Sequence, residues 1–341
     1  MQSATISRST RASRIAAGLA VILVVALAAA PWWTSSANLR LFTEFMIYLA
    51  LASSWNLLAG YAGLISVGQH AYVGFGGYLM FSCVLFLGLN PLYAIPIAGV
   101  LGGLIAIPVA FFVFRLKGPY FAIGTWVVAE VFRLSAAQMS SVGGGSGLSI
   151  PVSAMRALGS KSEREILIYL TAFALCIGAV VVIYLVLRSR IGLALTAIRD
   201  NEIASLSLGV PIGRIKLAVY VVAAAGTAMI GALIFITKLR ISPDAAFSVN
   251  DWTVFVIFIV VIGGIGTIEG PIIGTLLFFA LREFLADLGA IYLMILGLIA
   301  IVIMLVAPKG LWGLAVQRFG FTLFPVGYRV KGAASPDGSD A

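Results

Sequence analysis

Besides its hydroxyl groups, the 341-residue chain offers little for chemistry: one histidine, two cysteines and 13 acidic residues. A lone histidine, His70, cannot build a metal site. It can hold a hydrogen-bonded structural place or relay a proton. Cys83 and Cys176 each sit inside an apolar run and read as packing residues, not as a disulfide or metal pair. Glu130 and Arg133, in "AEVFRLS", stand three apart on one expected helix. They can neutralise each other there, and a role in substrate passage or gating stays open. No glycine-rich loop leads to Gly-Lys-Ser/Thr, so no Walker-type ATP site is expected. No carboxylates cluster in the apolar runs, no arginine ladder suggests a voltage sensor, and no Ser-His-Asp set is plausibly placed. The chain is expected not to be an enzyme and to bind no metal and no cofactor.

What remains is chemistry of passage and contact. The segment "NLLAGYAGLISVGQHAYVGFGGY", 56–78, brings glycines and polar groups into one apolar region. Glycines allow close backbone approach and broken helices, while polar side chains there are costly unless they serve something. The reading is either tight packing or a wall of a translocation path, with Asn56, Gly63, Gln69, His70, Gly74 and Glu130 as its candidates. In "GGIGTIEGPIIG", 263–274, Gly266, Gly270 and Gly274 recur every four residues as a helix-packing stripe. Pro271 suggests instead that a helix begins nearby. A dimer-facing role is the sharper alternative.

The third segment is "RSRIGLALTAIRDNEIASLSLGVPIGRIK", 188–216. Ile191, Leu195 and Ile198 share a helix face, and Arg199, Asp200, Asn201 and Glu202 follow at once. Gly209 and Pro211 then stop a helix. A short helix lying along the membrane, with an apolar face and a polar head, would suit a groove on a cytoplasmic partner. A solvated connecting loop is the plainer reading.

Composition dictates which helices carry these segments. The chain is 61% hydrophobic and only 10% charged, against about a quarter charged in soluble domains. This predicts an all-α integral membrane protein. Apolar runs at roughly 15–33, 41–60, 66–89, 92–114, 119–139, 166–187, 217–237, 252–265, 271–288 and 290–307 give about ten transmembrane helices. The first, after Arg8, Arg11 and Arg14, resembles a signal peptide but is expected to be retained. With the N-terminus inside, fourteen basic residues are cytoplasmic and six, Arg40, Arg156, Lys161, Arg164, Lys238 and Arg240, are external. That bias predicts both termini inside. It also makes the net charge of +9 a topology signal and excludes nucleic acid as a partner. Residues 1–14 are then a cytoplasmic segment, 15–313 the transmembrane domain, 140–165 a periplasmic loop, 188–216 a cytoplasmic loop and 314–341 a cytoplasmic tail.

Three stretches, "NLLAGYAGLISVGQHAYVGFGGY", "AIRDNEIASLSLGVPIGRIKL" and "VIGGIGTIEGPIIGTLL", resemble in order and spacing the signature regions of branched-chain amino acid ABC importer permeases. The resemblance spans about 40–313, includes "GGGSGL" and "APKGLWG", and fits best the longer of the two permease subunits. It implies a pseudo-symmetric heterodimer with a second, related permease in the lipid bilayer of the bacterial inner membrane. Two cytoplasmic ATPase subunits would use the ATP, and a periplasmic binding protein would deliver the substrate. It also implies a coupling segment in which Ile198, Arg199, Asp200, Asn201, Glu202, Ala204 and Gly209 meet the ATPase, its glycine standing one residue later than in importers at large. Leucine, isoleucine and valine are the expected substrates. Urea, short amides and aromatic acids are alternatives within the family, and an ion-coupled carrier or a channel are alternatives outside it.

Overall fold

The computed structural model describes residues 5–7, 11–156, 158–285, 289, 291–319 and 329–331. The chain enters through α1 (Arg11–Ala28) and α2 (Ala30–Trp33). Ser35 then caps α3 (Ser36–Asn56), which runs on through a π-turn at Leu57–Tyr61. A non-helical link leads to α4 (Gln69–Leu87), followed by α5 (Pro91–Val113) and α6 (Pro119–Gln138). The loop after α6 carries a short strand and α7 (Val152–Arg156) before α8 (Lys161–Arg188). Two short helices, α9 (Arg190–Asp200) and α10 (Glu202–Ser207), join α8 to α11 (Ile212–Lys238). Then come α12 (Pro243–Ala246), a π-turn at Asn250–Val254, α13 (Phe255–Gly263), α14 (Glu269–Leu285), α15 (Ile291–Val306) and α16 (Gly310–Phe319). Two small antiparallel pairs join β1 (Thr5–Ser7) to β4 (Arg329–Lys331) and β2 (Leu148–Ser149) to β3 (Arg240–Ile241).

Each of the ten apolar runs falls on a helix. Among the described residues, eight stretches are long and apolar enough to cross a bilayer. The runs 15–33 and 271–288, on α1 and α14, are the two outside that set, and α14 has 17 residues. Two boundaries move for physical reasons. The run at 166–187 begins earlier, at Lys161, because Ser160 and Glu163 form a capping box: the Glu163 N–H donates to Ser160 Oγ (3.4 Å) and the Ser160 N–H to Glu163 Oε2 (2.7 Å). Its polar first turn masked the helix, and the outer loop 140–165 loses its last five residues to α8. The short run at 252–265 extends back to Pro243, because α12 and the π-turn carry the helical path through Asn250 and Asp251. The terminal segments 1–14 and 314–341 lie in large part outside the described residues.

Burial sorts the helices. The apolar stretches of α3 with its π-turn and of α11 are 78% and 72% buried, against 11% for Ile291–Arg318. So α3 and α11 form the centre, and α15 needs lipid or another subunit around it. Small residues set the central distance: a β-carbon on Gly76 of α4 would stand 2.0 Å from the Ala228 carbonyl oxygen of α11, and one on Gly231 would stand 2.2 Å from that of Val73. Backbones in contact gain dispersion where water is absent and apolar burial gives no driving force.

Candidate functional site

The segment 188–216 folds into two helices with different jobs. Ser189 opens α9, its Oγ accepting the Ile191 N–H at 3.1 Å. Gly192 makes the turn out of α8 possible, since a β-carbon there would stand 2.0 Å from the Leu187 carbonyl oxygen. Along α9, Gly192, Leu195 and Ile198 are buried, while Ile191 is exposed. This corrects the expected outward face: Leu195 and Ile198 lie inside the chain's own helical body, because the apolar stripe of a helix seated on a bundle turns toward the bundle. Ile198 therefore anchors the segment and is not offered to a partner.

Asn201 ends α9 and starts α10. Its extended backbone breaks the helix, and its Oδ1 accepts the Ala204 N–H at 3.0 Å. Lys216, at the start of α11, ties Glu202 through a 2.9 Å ion pair. Gly209 adopts φ +79°, and the Val210 N–H closes the end of α10 onto the Ser205 carbonyl at 3.1 Å. Held at both ends, α10 and its C-cap present Ile203 (80% exposed), Leu206 (65%) and, at the cap, Leu208 (82%). Asp200, Glu202 and Ala204 are exposed around them. Sequence reasoning passed over these three apolar residues. Their signal was present, since apolar side chains in a polar island, left uncovered by the described residues, are marks of a contact surface.

Arg199 points elsewhere. Its guanidinium lies 3.3 Å from where a β-carbon on Gly266 would stand, and its Nε is 3.6 Å from Asp200. Gly266, at φ +76°, sits in the turn between α13 and α14, ahead of the helix. It is thus separate from the stripe expected with Gly270 and Gly274. Those two glycines pack within the chain: their β-carbons would stand 2.1 Å from the Gly264 carbonyl oxygen and 1.9 Å from that of Ile259 on α13. That contact leaves no room for a dimer partner along the same face.

The turn is also fastened to the first glycine-rich segment. Asn56 accepts the Gly266 N–H on Oδ1 at 2.8 Å and donates from Nδ2 to the Thr267 carbonyl at 2.7 Å. A β-carbon on Gly60 would stand 2.5 Å from the Gly266 nitrogen. The two glycine-rich segments therefore meet directly, with Arg199 over the junction.

The other candidates of the path scatter. Gly63, at φ +67°, makes a turn with open space beside it. Gln69 donates from Nε2 to the Leu51 carbonyl (3.0 Å) and to Thr227 Oγ1 (3.3 Å). Its Oε1 is buried without a partner among the described residues. His70 is buried, its Nδ1 lying 2.9 Å from Thr253 Oγ1. Gly74 lies under the Phe247 ring. Glu130 binds Arg133 at 2.6 Å, and Arg133 reaches on to Asp244 at 2.7 Å, so the pair links α6 to α12. None of these residues borders the cavity between the starts of α3, α8 and α15 and the ends of α11 and α14. No group of three or more His, Cys, Asp or Glu able to hold a metal occurs among the described residues.

The family described as branched-chain amino acid transport system / permease component matches residues 38–308. The high-affinity branched-chain amino acid transport system permease protein LivM of Escherichia coli (strain K12) is 30% identical over 314 residues, 85% of this chain and 73% of the relative. LivM of Salmonella typhimurium (strain LT2) is likewise 30% identical over 316 residues, 86% of this chain and 74% of the relative. No solved structure matches. A helical bundle of membrane-crossing length, matched over most of its extent by this family, leaves one assignment: the chain belongs to the permease components of branched-chain amino acid transport systems.

Proposed function

We propose that this chain is one permease subunit of an ATP-driven importer of leucine, isoleucine and valine in a bacterial inner membrane, with ten crossings and both termini cytoplasmic. A second, related permease completes the passage, two cytoplasmic ATPase subunits supply energy, and a periplasmic binding protein delivers the amino acid. The chain itself binds no cofactor; ATP is used by the ATPase subunits. The observation that carries this reading is α10, a short capped helix between two membrane-crossing helices with Ile203, Leu206 and Leu208 exposed. A carrier driven by its own ion gradient would leave that surface without purpose.

In this reading α10 inserts into a groove on the ATPase, with Asn201, Glu202, Ala204 and Gly209 shaping the contact, while Arg199 and Asp200 carry its motion to the Gly266 turn. ATP favours one arrangement of the ATPase pair through differential affinity. The rigid seat of α10, made by Lys216 and by buried Leu195 and Ile198, turns that difference into a rocking of the helices. Co-expression with the ATPases and the binding protein, followed by ATP-driven uptake of labelled leucine, tests it. Ile203→Asp with Leu206→Asp is expected to abolish ATPase co-purification and uptake while the chain still reaches the membrane. Wild-type uptake by that variant would overturn the reading, and preference for urea over leucine would overturn the substrate.

A further inference from the structure

At the end of the bundle away from α10 a cavity of about 870 Å³ opens between the starts of α3, α8 and α15 and the ends of α11 and α14. That volume falls within the roughly 300–1,000 Å³ of small-molecule sites. Its inner part is apolar and aromatic, with Ile47, Ile234, Trp252, Phe255 and Phe278 in the lining. Its outer part carries five cationic side chains, Arg40, Lys161, Arg164, Lys238 and Arg282, and three anionic ones, Glu44, Glu165 and Asp251. An apolar floor beneath charges of both signs matches an aliphatic side chain attached to a zwitterionic head. A purely anionic ligand would leave the carboxylates opposed, and a neutral one would leave the charges idle.

The pair best placed to read that head is Glu44 with Arg282. Arg282 Nη1 and Nη2 bind Glu44 Oε1 and Oε2 at 2.6 and 2.9 Å. Both side chains keep more than a third of their surface exposed. The guanidinium has five N–H donors and the carboxylate about four lone-pair sites, so each uses only part of its capacity on the other. A half-exposed pair is weakly held and can trade its internal bonds for a ligand carboxylate on Arg282 and a ligand ammonium on Glu44. A third group stands ready. Tyr292 borders the same cavity, and its phenolic oxygen is buried without a hydrogen-bond partner among the described residues. Buried polar atoms are ordinarily paired, so an orphan on a residue that borders a cavity calls for a partner that the described residues do not supply.

We propose that this cavity is an amino-acid site within the permease, in which Arg282 and Tyr292 hold the α-carboxylate, Glu44 the α-ammonium, and Ile47, Trp252 and Phe278 the aliphatic side chain. This rests on the proposed import of branched-chain amino acids and deepens it, giving the permease its own reading of the substrate after the binding protein lets go. The site makes no demand on α10, so its loss should separate recognition from energy coupling.

The test uses the whole importer in proteoliposomes with its binding protein. Glu44→Gln and Arg282→Gln are each expected to lower leucine uptake at least tenfold, while the complex still assembles and the binding protein still stimulates ATP hydrolysis. The swapped double variant Glu44→Arg with Arg282→Glu is expected to stay as poor, because a reversed pair turns the zwitterion around in the cavity. Recovery of wild-type uptake by the swap would overturn the site in favour of a structural ion pair. The unmutated complex gives a second measurement, free of folding defects. Without its binding protein it should bind L-leucine saturably by thermal shift, and leucinamide and 4-methylpentanoate, each lacking one charge, at least tenfold more weakly. Equal response to all three, or to none, would overturn the proposal. Failure of the wild-type importer to take up leucine at all would instead overturn the importer reading.

Discussion

Asn56, at the end of α3, holds both polar edges of the turn before α14, its Oδ1 bonded to the Gly266 N–H at 2.8 Å and its Nδ2 to the Thr267 carbonyl at 2.7 Å. The two partners stand 210 and 211 residues further along the chain, so one amide joins the two halves of the permease. Replacing Asn56 by alanine strips two backbone groups of their partner at a buried position. An orphaned buried group costs about 1–3 kcal/mol in water-soluble proteins, and interhelical bonds in membranes average about 0.6 kcal/mol. Asn56→Ala should therefore lower the melting temperature of the purified complex measurably. Asn56→Asp should also fail, because a carboxylate accepts from Gly266 but repels the Thr267 oxygen. A wild-type melting temperature in both variants would count against the clamp.

The seat of α10 depends on Lys216 as much as on its caps. Lys216 is largely buried and meets Glu202 at 2.9 Å. Lys216→Glu places two carboxylates together at the root of α10 and should cut ATPase co-purification severalfold. Adding Glu202→Lys restores the opposite charges in reverse order, and co-purification should return. If the double variant stays as weak as the single one, orientation of α10 has another source.

The α13–α14 contact predicts a graded response among glycines. A methyl group on Gly270 or Gly274 meets backbone atoms that cannot rotate away, while Gly297 on α15 has nothing within 4 Å. Overpacking costs typically 1–3 kcal/mol and more where only backbone can move. Gly270→Ala and Gly274→Ala should each sharply reduce monodisperse protein on size-exclusion chromatography in mild detergent. Gly297→Ala should elute as wild type, and equal yields from all three would refute the packing account.

These contacts mark what the sequence could and could not disclose. Apolar runs near bilayer length announce themselves, because the bilayer demands both length and composition from each crossing. Helix starts such as Lys161 hide, because a polar first turn lowers local hydropathy just where Ser160 and Glu163 cap it. The Glu130–Arg133 pair was legible from its spacing of three, but its third member, Asp244, lies 111 residues from Arg133 and is reached only through the fold. The Glu44–Arg282 pair, 238 residues apart, gave no local sign at all. Ile198 was misplaced for a related reason: periodicity finds an apolar face without saying whether it looks toward the bundle or away from it.

Arg199 and Asp200 stand where α9, α10 and the Gly266 turn converge, with the Arg199 guanidinium beside Gly266 and Asn56 bonded to the same turn. A push on α10 thus has a short route into α3 and α14: through α9 to Arg199, across to the turn, and through Asn56 into the core. Reversing both charges, Arg199→Glu with Asp200→Lys, keeps the local pair but places a carboxylate against the carbonyl-rich glycine turn. The apolar surface of α10, made by Ile203, Leu206 and Leu208, is untouched by the change. ATPase binding and ATP hydrolysis should persist, while leucine accumulated per ATP consumed falls severalfold. The measurement is simultaneous labelled-leucine uptake and phosphate release in proteoliposomes. An unchanged ratio would show that the motion enters the membrane by a route other than Arg199.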